Sequence, residues 1–419
     1  MHTSVRPTAL DEPELLGPPQ FNPFDPSLRA DPYPLYRRLR EEAPIGQVPG
    51  IGIWYCTRFA DCQAILRDRR MSSDTRNSDV YRGLIASGVL RLPESLREDR
   101  SFLYLDPPDH TRLRRLVASA FTPAVVHALR PRIRQIVDEL LDAAERRGQL
   151  DIVSDVAYPL PFRIMCELLG IAIKDYDRFR AWSEELVGSM DLQLGAPPEK
   201  IERQAAAINE ATDYLAEHIA ERRGKPGDDL LTALFAAEDA GDKLTEEELL
   251  GTVILLFGAG METTVNLIGS GMHALLQHPD QLAHLRARPE LAAAVVEEVL
   301  RWDPPTQLTQ RVAMEDVEIG GETIPKGAPV VLILAAACRD EAVIADADRF
   351  DITRESIPHL AFGFGPHFCI GAPLARAEGE IAFATVVARF PSLRLGEGVR
   401  RRGTIVLRGL ESLPVEYAR

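Results

Sequence analysis

The sequence has 419 residues, a length that one small hydrophobic core does not usually stabilise. Of these residues 45% are hydrophobic and 26% are charged, which is ordinary for a soluble globular protein. The formal net charge of -15 argues against a nucleic-acid-binding protein, because contact with phosphates needs a basic face. Five cysteines without a CxxC pair predict free thiols in a reducing compartment rather than a disulfide framework.

No low-complexity block, fixed repeat or Ser/Gly-rich linker divides the chain. We therefore expect an irregular lead-in over residues 1–20 and a single domain over residues 21–419. The N-terminus lacks the basic and apolar regions of a signal peptide, and the longest nearly apolar run, residues 249–261, is too short to span a bilayer. These features predict a cytoplasmic protein with no membrane partner.

The N-terminal part alternates short helices with extended segments. Apolar residues at helical spacing predict helices over residues 32–42 and 58–68, with a β-segment over residues 51–56 between them. From residue 71 to 105 the periodicity is lost, and a loop of this length in a compact domain is either disordered or functional. An ordinary surface loop remains the plainer interpretation of most of its side chains.

A helix start follows this loop. Asp106 is placed to cap the helix, and two prolines follow it. His110 and Arg114 are four residues apart and share one helix face, which suits the binding of carboxylate groups, although such a pair is also common on a solvated face. Arg112 and Arg115, on other faces, are suited to meet an acidic partner protein.

A series of helices then fills the middle of the chain. A capping box formed by Thr245 and Glu248 begins the longest of them, which can extend to His278. At 1.5 Å per residue this helix would be roughly 50 Å long, enough to cross the whole molecule. The preceding helical segments carry no legible chemistry; they are residues 130–147, 158–169, 175–190, 198–223 and 228–238.

The centre of the long helix carries groups suited to a reactive pocket. Gly258 and Gly260 weaken the helix by about 1 kcal/mol each relative to alanine, and we expect them to leave room for a flat ring. The Thr263 hydroxyl can bond the carbonyl of Ala259 and open the helix locally. Glu262 and Thr263 then form an acid–alcohol pair suited to proton delivery in a dry pocket. A kinked core helix with a satisfied polar pair is the alternative.

The C-terminal third begins with a helix predicted over residues 289–302. It places Glu298 and Arg301 on one face, a spacing that is typical of surface ion pairs. Alternating residues and glycine turns predict strands over residues 306–337 and again over residues 401–417.

Residues 362–371, with the sequence FGFGPHFCIG, form the most strongly patterned segment of the chain. Three glycines allow a tight backbone and close approach to something flat and bulky. A helix predicted over residues 372–390 directs its positive end at Cys369 and favours a thiolate there. One cysteine cannot make a zinc site, but it can serve as the axial ligand of a haem iron. A glycine-rich turn with a buried, inert cysteine is the alternative.

The spacing Phe-Gly-x-Gly-x-His-x-Cys-x-Gly resembles the haem-ligand loop of the cytochrome P450 (haem-thiolate monooxygenase) family, soluble bacterial type. The helix with His110 and Arg114, the acid–alcohol pair and the Glu-x-x-Arg motif occur in the family's order, so the resemblance covers about residues 20–417. It implies a mainly α fold with a smaller β-rich region. Haem b (iron protoporphyrin IX) would lie between the long central helix and the cysteine loop.

The resemblance also implies a role for each matching residue. Cys369 would bind the metal, and Glu262 with Thr263 would be catalytic. Glu298 and Arg301 would be structural and would be joined by Arg349 from a later irregular stretch. The implied cofactor-binding residues, besides Cys369, are His110, Arg114, Arg311, His367, Ala259, Gly260, Phe362 and Gly363. The implied substrate contacts are Arg76, Ile85, Val89, Leu255, Gln307, Val406 and Leu407.

The implied reaction is the activation of O2 and the insertion of one oxygen atom into a medium-sized, largely apolar natural product, most simply as a hydroxylation. The chain has no flavin or nicotinamide domain, so electrons from NAD(P)H would arrive through a separate ferredoxin and ferredoxin reductase. Gly-x-Gly at residues 258–260 and 363–365 lacks the remaining features of a dinucleotide site. Two alternatives stay open. A peroxygenase would not need the acid–alcohol pair that this chain has, and a haem-thiolate sensor should carry a signalling module.

Overall fold

A computed structural model describes residues 19–91, 101–191, 193–225, 227, 229–239 and 244–418. Most of the predicted lead-in therefore lies outside the described residues. The fold is mainly α-helical, with small sheets beside the helical body, as the fold-class prediction states. Its helices are α1 Ser27–Ala30, α2 Tyr33–Glu42, α3 Phe59–Arg67, α4 Asp79–Ala86, α5 Asp109–Ala118, α6 Pro123–Arg147, α7 Pro159–Leu169, α8 Tyr176–Met190, α9 Pro198–Arg222, α10 Leu230–Asp239, α11 Glu246–Gln277, α12 Pro279–Ala287, α13 Ala292–Trp302, α14 Leu334–Ala337 and α15 Ala372–Arg389.

The strands are short and belong to several sheets. They are β1 Ile45–Gln47, β2 Trp54–Cys56, β3 Met71–Ser72, β4 Leu150–Asp151, β5 Leu308–Ala313, β6 Val317–Ile319, β7 Glu322–Ile324, β8 Pro329–Ile333, β9 Arg394–Leu395, β10 Arg400–Arg401, β11 Leu410–Ser412 and β12 Pro414–Glu416. A five-stranded sheet has the order β1-β2-β8-β5-β3, in which only β2 and β8 run parallel. The others are β4-β12-β9, β10-β11 and β6-β7.

The long helix α11 organises the helical body. The predicted capping box is confirmed: the Thr245 hydroxyl accepts from the Glu248 N–H at 3.1 Å, and the Glu248 carboxylate accepts from the Thr245 N–H at 2.9 Å. The helix packs against α7, α9, α13 and α15. By length and composition α11 alone, among the described helices, could cross a membrane, but 61% of its most apolar window is buried inside the protein, as in a core helix.

The structure differs from the sequence prediction at several places, of which three bear on the N-terminal half and the long helix. Helix α4 lies within the region where no periodicity was evident, and the Ser78 hydroxyl caps it by accepting from the Tyr81 N–H. Helix α12 was not predicted. Asp106 does not cap α5, because its carboxylate accepts from the Ser72 hydroxyl and the Ser73 N–H instead.

Candidate active site

The cysteine loop is a tight turn between the irregular stretch after α14 and helix α15. The Cys369 N–H donates to the Phe362 carbonyl at 2.8 Å, which closes the loop. Cys369 is exposed, whereas the other four cysteines are buried. Although the residue is exposed, loop atoms packed around its sulfur disfavour the charged form and raise the pKa of the Cys369 thiol, while the N–H groups of Gly371 and Ala372 lower it in part. A sulfur presented in this way is available to a metal.

Two of the loop glycines have backbone conformations that other residues rarely adopt. Gly363 has φ +70° and Gly365 has φ +71°. A Cβ atom on Gly365 would also lie 2.8 Å from the Leu66 carbonyl oxygen of α3, so the loop can pack on that helix only because this residue has no side chain.

Four cationic or imidazole side chains converge beside the loop: His110 and Arg114 from α5, Arg311 from β5, and His367 from the loop itself. The rings of His110 and His367 stack with centroids 4.0 Å apart. Arg114 donates to the main-chain carbonyl of Phe368, which ties α5 to the loop. The structure therefore brings together all four of the predicted donors.

These groups are short of anionic partners. Both ring nitrogens of His110 are buried without a hydrogen-bond partner among the described residues. Burial first, and then the positive Arg114, lowers the pKa of His110 to about 4. Burial and His110 lower the pKa of His367 to about 3, and burial lowers that of Arg311 to about 10. Buried and half-buried hydrogen-bond donors, two of them guanidinium groups, fit a ligand that carries carboxylate groups.

One face of α11 is less covered than the rest of the helix. Ala259 is exposed and Thr263 half-buried, although the residues around them on this helix are largely buried. The Thr263 hydroxyl donates to the Ala259 carbonyl at 2.8 Å, as predicted from the sequence. Leu255 lies one further turn away on this face and is partly buried.

Glu262 lies on a different face from Thr263. Its side chain is buried beneath α8 and the C-terminal β10–β11 hairpin. One carboxylate oxygen accepts from the Ser183 hydroxyl, and the other lies 2.8 Å from an Arg402 nitrogen. The acid and the alcohol are thus neighbours in sequence without a direct contact. The sequence analysis missed both partners, and only the basic run of residues 400–402 hints at one of them.

The glycines of α11 do not have the predicted function of leaving room for a ring. A Cβ atom on Gly260 would lie 2.9 Å from the Met165 sulfur, and one on Gly258 would lie 3.0 Å from the Leu186 side chain. These glycines therefore allow α7 and α8 to pack closely on α11. That Gly260 contacts the cofactor stays a prediction, since only the direction of an added side chain, towards Met165, is evident; Ala259 lies on the open face.

Glu298 and Arg301 are fully buried and bond each other twice, at 2.7 Å each. Arg301 also donates to the carbonyls of Ala347 and Arg349. The prediction that the Arg349 side chain joins this pair is wrong, because that side chain is 62% exposed and faces Asp351. Arg354 takes this position instead, 3.4 Å from Glu298, and it lies in the same irregular stretch.

A second ion-pair network, which was not predicted from the sequence, packs against the cysteine loop. The Glu297 carboxylate accepts from His359 at 3.1 Å and from Arg376 at 2.7 Å. Burial alone would raise the pKa of Glu297, but these two hydrogen bonds outweigh it and lower the pKa to about 2. Arg376 also lies over the Phe362 ring, 4.6 Å from its centroid. The network therefore connects α13, the loop and α15.

The predicted substrate contacts lie in several parts of the structure and differ in exposure and in hydrogen-bond partners. Val406 and Leu407 lie beside residues 306–307, where the Gln307 N–H donates to the Val406 carbonyl at 2.9 Å. Gln307 is buried and its amide nitrogen donates to the Pro304 carbonyl, so that group is already used. The Arg76 guanidinium bonds Asp74 with two hydrogen bonds. Ile85 is half-buried on α4, and Val89 is exposed after it.

The residues of this site fit a haem. The site offers an exposed cysteine sulfur, an open face on the long helix, and hydrogen-bond donors from α5, β5 and the loop. Cys369 would bind the iron, and His110, Arg114, Arg311 and His367 would hold the propionates. Among the described side chains no group of three His, Cys, Asp or Glu residues could hold a metal ion by itself.

Comparison with known proteins agrees with this geometry. A family model described as Cytochrome P450 matches residues 87–288 and 285–399. The 6-deoxyerythronolide B hydroxylase of Saccharopolyspora erythraea is 42% identical over 399 residues, covering 93% of this chain and 96% of the relative.

Two solved structures are also similar. The ligand-free structure of CYP164A2 from Mycobacterium smegmatis has a TM-score of 0.87 and 42% identity, covering 94% of this chain and 98% of that chain. PksS, the bacillaene polyketide synthase cytochrome P450 of Bacillus subtilis 168, has a TM-score of 0.85 and 38% identity, covering 96% of this chain and 100% of that chain. The chain belongs to the cytochrome P450 family and is a haem-thiolate monooxygenase.

Proposed function

We propose that this monooxygenase hydroxylates a medium-sized, largely apolar natural product, and that a polyketide macrolactone is the first class to test. The names of two relatives support this choice: one is a hydroxylase of 6-deoxyerythronolide B, and the other belongs to a polyketide synthase system. The half-buried apolar side chains Ile85, Leu255 and Val406 suit such a substrate. We also propose that residues 21–419 act as one domain in the cytoplasm.

The observation that carries the proposal is the convergence of donors around an exposed Cys369. When bound, the haem supplies reductive activation of O2 and transfer of one oxygen atom. His110, Arg114, Arg311 and His367 would orient it through its carboxylates. The neutral imidazoles and charged guanidinia would donate hydrogen bonds there, and Cys369 would bind the metal.

Two residues of α11 deliver the protons that O2 activation requires. Thr263 presents its hydroxyl on the open face, and Glu262 supplies protons to that face through intervening water, because its carboxylate does not contact Thr263 directly. Leu255 and Ala259 present apolar side chains beside this hydroxyl. A peroxygenase would not require this proton supply. The presence of Glu262 and Thr263 therefore favours an O2-dependent monooxygenase.

We propose that electrons from NAD(P)H reach the enzyme through a ferredoxin and a ferredoxin reductase. Phe368, next to the metal ligand, is exposed and marks the face on which the donor would bind. Arg112, which the sequence offered as a contact for that donor, instead bonds Glu248 at the start of α11. We therefore do not assign Arg112 to this face.

Two experiments test the proposal. The purified, haem-loaded protein is reduced and treated with carbon monoxide, and the red-shifted Soret band of a thiolate-ligated haem is expected. A folded, haem-loaded sample without that band would overturn the role of Cys369. A panel containing 6-deoxyerythronolide B, other macrolactones and testosterone is then screened for the absorption shift that follows displacement of iron-bound water. A response to the steroid alone would contradict the proposed substrate class.

A further inference from the structure

A stripe of buried polar side chains runs along α11 away from the open face. Glu262, Asn266, Ser270 and His273 follow one another at intervals of four, four and three residues, so they share one side of the helix. Their exposed fractions are 1%, 0%, 3% and 7%. We call these four residues the polar stripe. In an apolar core such a stripe is unfavourable unless its polar atoms are hydrogen-bonded.

The middle of the polar stripe is short of partners. Both amide atoms of Asn266 and the hydroxyl oxygen of Ser270 are buried and bond no other described residue. Leaving such a group unpaired costs about 1–3 kcal/mol, and buried water commonly supplies the missing hydrogen bonds. Residues four apart are about 6 Å apart along a helix, a gap that one water molecule bridges.

The C-terminal hairpin covers the polar stripe. Arg402, which follows β10, lies 2.8 Å from Glu262 at the inner end. A Cβ atom on Gly409, just before β11, would lie only 1.8 Å from the Asn266 amide oxygen. The hairpin backbone can therefore approach α11 closely only because residue 409 has no side chain. This contact separates the middle of the stripe from solvent.

The outer end of the polar stripe is in contact with charged groups and solvent. His273 is influenced by Arg401 of β10, by Asp303 after α13, and by Arg408 and His278. Burial first, and then Arg401, lowers the pKa of His273 to about 4, so the imidazole is neutral at pH 7 and can both accept and donate a proton. The Arg401 side chain is 32% exposed, which gives water access at this end.

The inner end is the acid of the active site. Glu262 is faced by Arg402 from the hairpin and by Ser183 from α8, and Tyr158 lies near enough to be affected by its charge. A proton that Glu262 gives up must be replaced before the next turnover. On the open face of α11 the Thr263 hydroxyl already donates to the Ala259 carbonyl at 2.8 Å, and its neighbours Leu255 and Ala259 are apolar.

We propose that the polar stripe holds a file of ordered water molecules and conducts protons from solvent near Arg401 to Glu262. The inference rests on the proposed proton-delivery role of Glu262. One proton enters from solvent at the His273 end for each proton that Glu262 passes to the open face, so the carboxylate paired with Arg402 returns to its starting state. The electrons come from NAD(P)H through the ferredoxin, and the conduction step needs no other reactant.

The test compares Ser270→Val with Ser270→Thr, two variants of nearly equal volume of which only the second keeps a hydroxyl. Each is loaded with haem and supplied with NADPH, a ferredoxin and its reductase, with the screened compound that gives the largest absorption shift as the probe. In Ser270→Val, we expect a several-fold larger share of electrons to end in hydrogen peroxide and a larger solvent deuterium isotope effect. Ser270→Thr should restore both values towards those of the parent. Equal behaviour of the two variants would overturn the proposal.

A crystal structure supplies a readout that does not depend on turnover. We expect ordered waters bonded to Asn266 and Ser270 in the parent protein, and loss of the water at residue 270 in Ser270→Val. A dry stripe would refute the proposal. Glu262→Gln distinguishes a failure of the proposed role of Glu262 from a failure of the polar stripe. If this variant does not alter peroxide release, the role of Glu262 fails. If it does alter peroxide release and Ser270→Val does not, only the stripe fails.

Discussion

Arg402 and Glu262 form a buried ion pair that joins the C-terminal hairpin to the centre of the long helix. The two side chains are 11% and 2% exposed and their charged atoms are 2.8 Å apart, although 140 positions separate them in the sequence. The acid next to Thr263 is therefore held by a residue that local sequence patterns do not connect with it. Its position depends on the packing of β10–β11 against α11.

We expect Arg402→Gln to destabilise the protein by about 3–5 kcal/mol, because it leaves the Glu262 carboxylate buried without a counter-charge. Combining it with Glu262→Gln should recover a large part of that loss, since no buried charge then remains. Denaturant unfolding of the haem-loaded proteins measures both effects. Arg394→Gln is the matched control, because Arg394 forms an ion pair of the same 2.8 Å length with Glu416, but both side chains are exposed. That variant should cost under about 1 kcal/mol. Equal losses for Arg402→Gln and Arg394→Gln would contradict the importance of the buried pair.

Arg354 rather than Arg349 should be the third member of the network around Glu298. Arg354 is 12% exposed and donates to the carbonyls of Ala345 and Asp346 at 2.7 Å each. We expect Arg354→Ala to cost about 2–3 kcal/mol and to weaken haem retention, since it removes a cation from the buried Glu298 carboxylate together with two hydrogen bonds to main-chain carbonyls. Arg349→Ala should change stability by less than about 0.5 kcal/mol, because that side chain is exposed. Thermal unfolding and haem content of the two variants decide between them, and a larger effect at Arg349 would refute this assignment.

The two loop glycines should respond differently to alanine. Both need a positive φ, which costs a non-glycine residue about 1–2 kcal/mol. Only at Gly365 would the added methyl group also meet main-chain atoms, 2.8 Å from Leu66 oxygen, whereas at Gly363 the nearest atom is 3.6 Å away. We expect Gly365→Ala to lose more of the thiolate-type carbon monoxide band per mole of protein than Gly363→Ala. The opposite order would show that the contact with α3 does not position the loop.

The motifs whose partners are close in sequence were predictable. The capping box, the bond from Thr263 to Ala259 and the Glu298–Arg301 pair all join residues three or four positions apart, so helical geometry alone places them together. Arg402, Ser183 and Arg354 could not be assigned in the same way, because only the tertiary fold brings them to their carboxylates. The glycines of α11 show a further limit: the sequence marks a close approach at Gly260, but it does not say which neighbour approaches.

Glu378 makes stability depend on pH. This residue of α15 is 1% exposed, one of its carboxylate oxygens has no partner among the described residues, and burial raises its pKa from 4.5 to about 8. Between these values the unfolded chain loses the proton and the folded protein keeps it, so stability falls as the pH rises from about 4.5 to about 8.

Glu378→Gln removes this titration without changing the shape of the side chain. Relative to the parent, the variant should therefore gain stability at pH 8 compared with pH 5. Each pKa unit is worth about 1.4 kcal/mol, so the expected gain is a few kcal/mol. Urea unfolding of both proteins at the two pH values measures it. If the difference between variant and parent is the same at both pH values, Glu378 does not titrate in this range.

Thr263→Ala should separate electron use from product formation. The hydroxyl lies on the open face of α11 and its bond to the Ala259 carbonyl is 2.8 Å long, so its loss costs only about 0.5–1.5 kcal/mol of stability. The expected defect is therefore chemical: less product per NAD(P)H and several-fold more hydrogen peroxide, because protons are no longer positioned on that face. Thr263→Ser keeps the hydroxyl and should retain most of the coupling. Product, peroxide and NAD(P)H are measured together for the parent and both variants. If the product yield per NAD(P)H in Thr263→Ala equals that of the parent, the hydroxyl has no part in proton delivery.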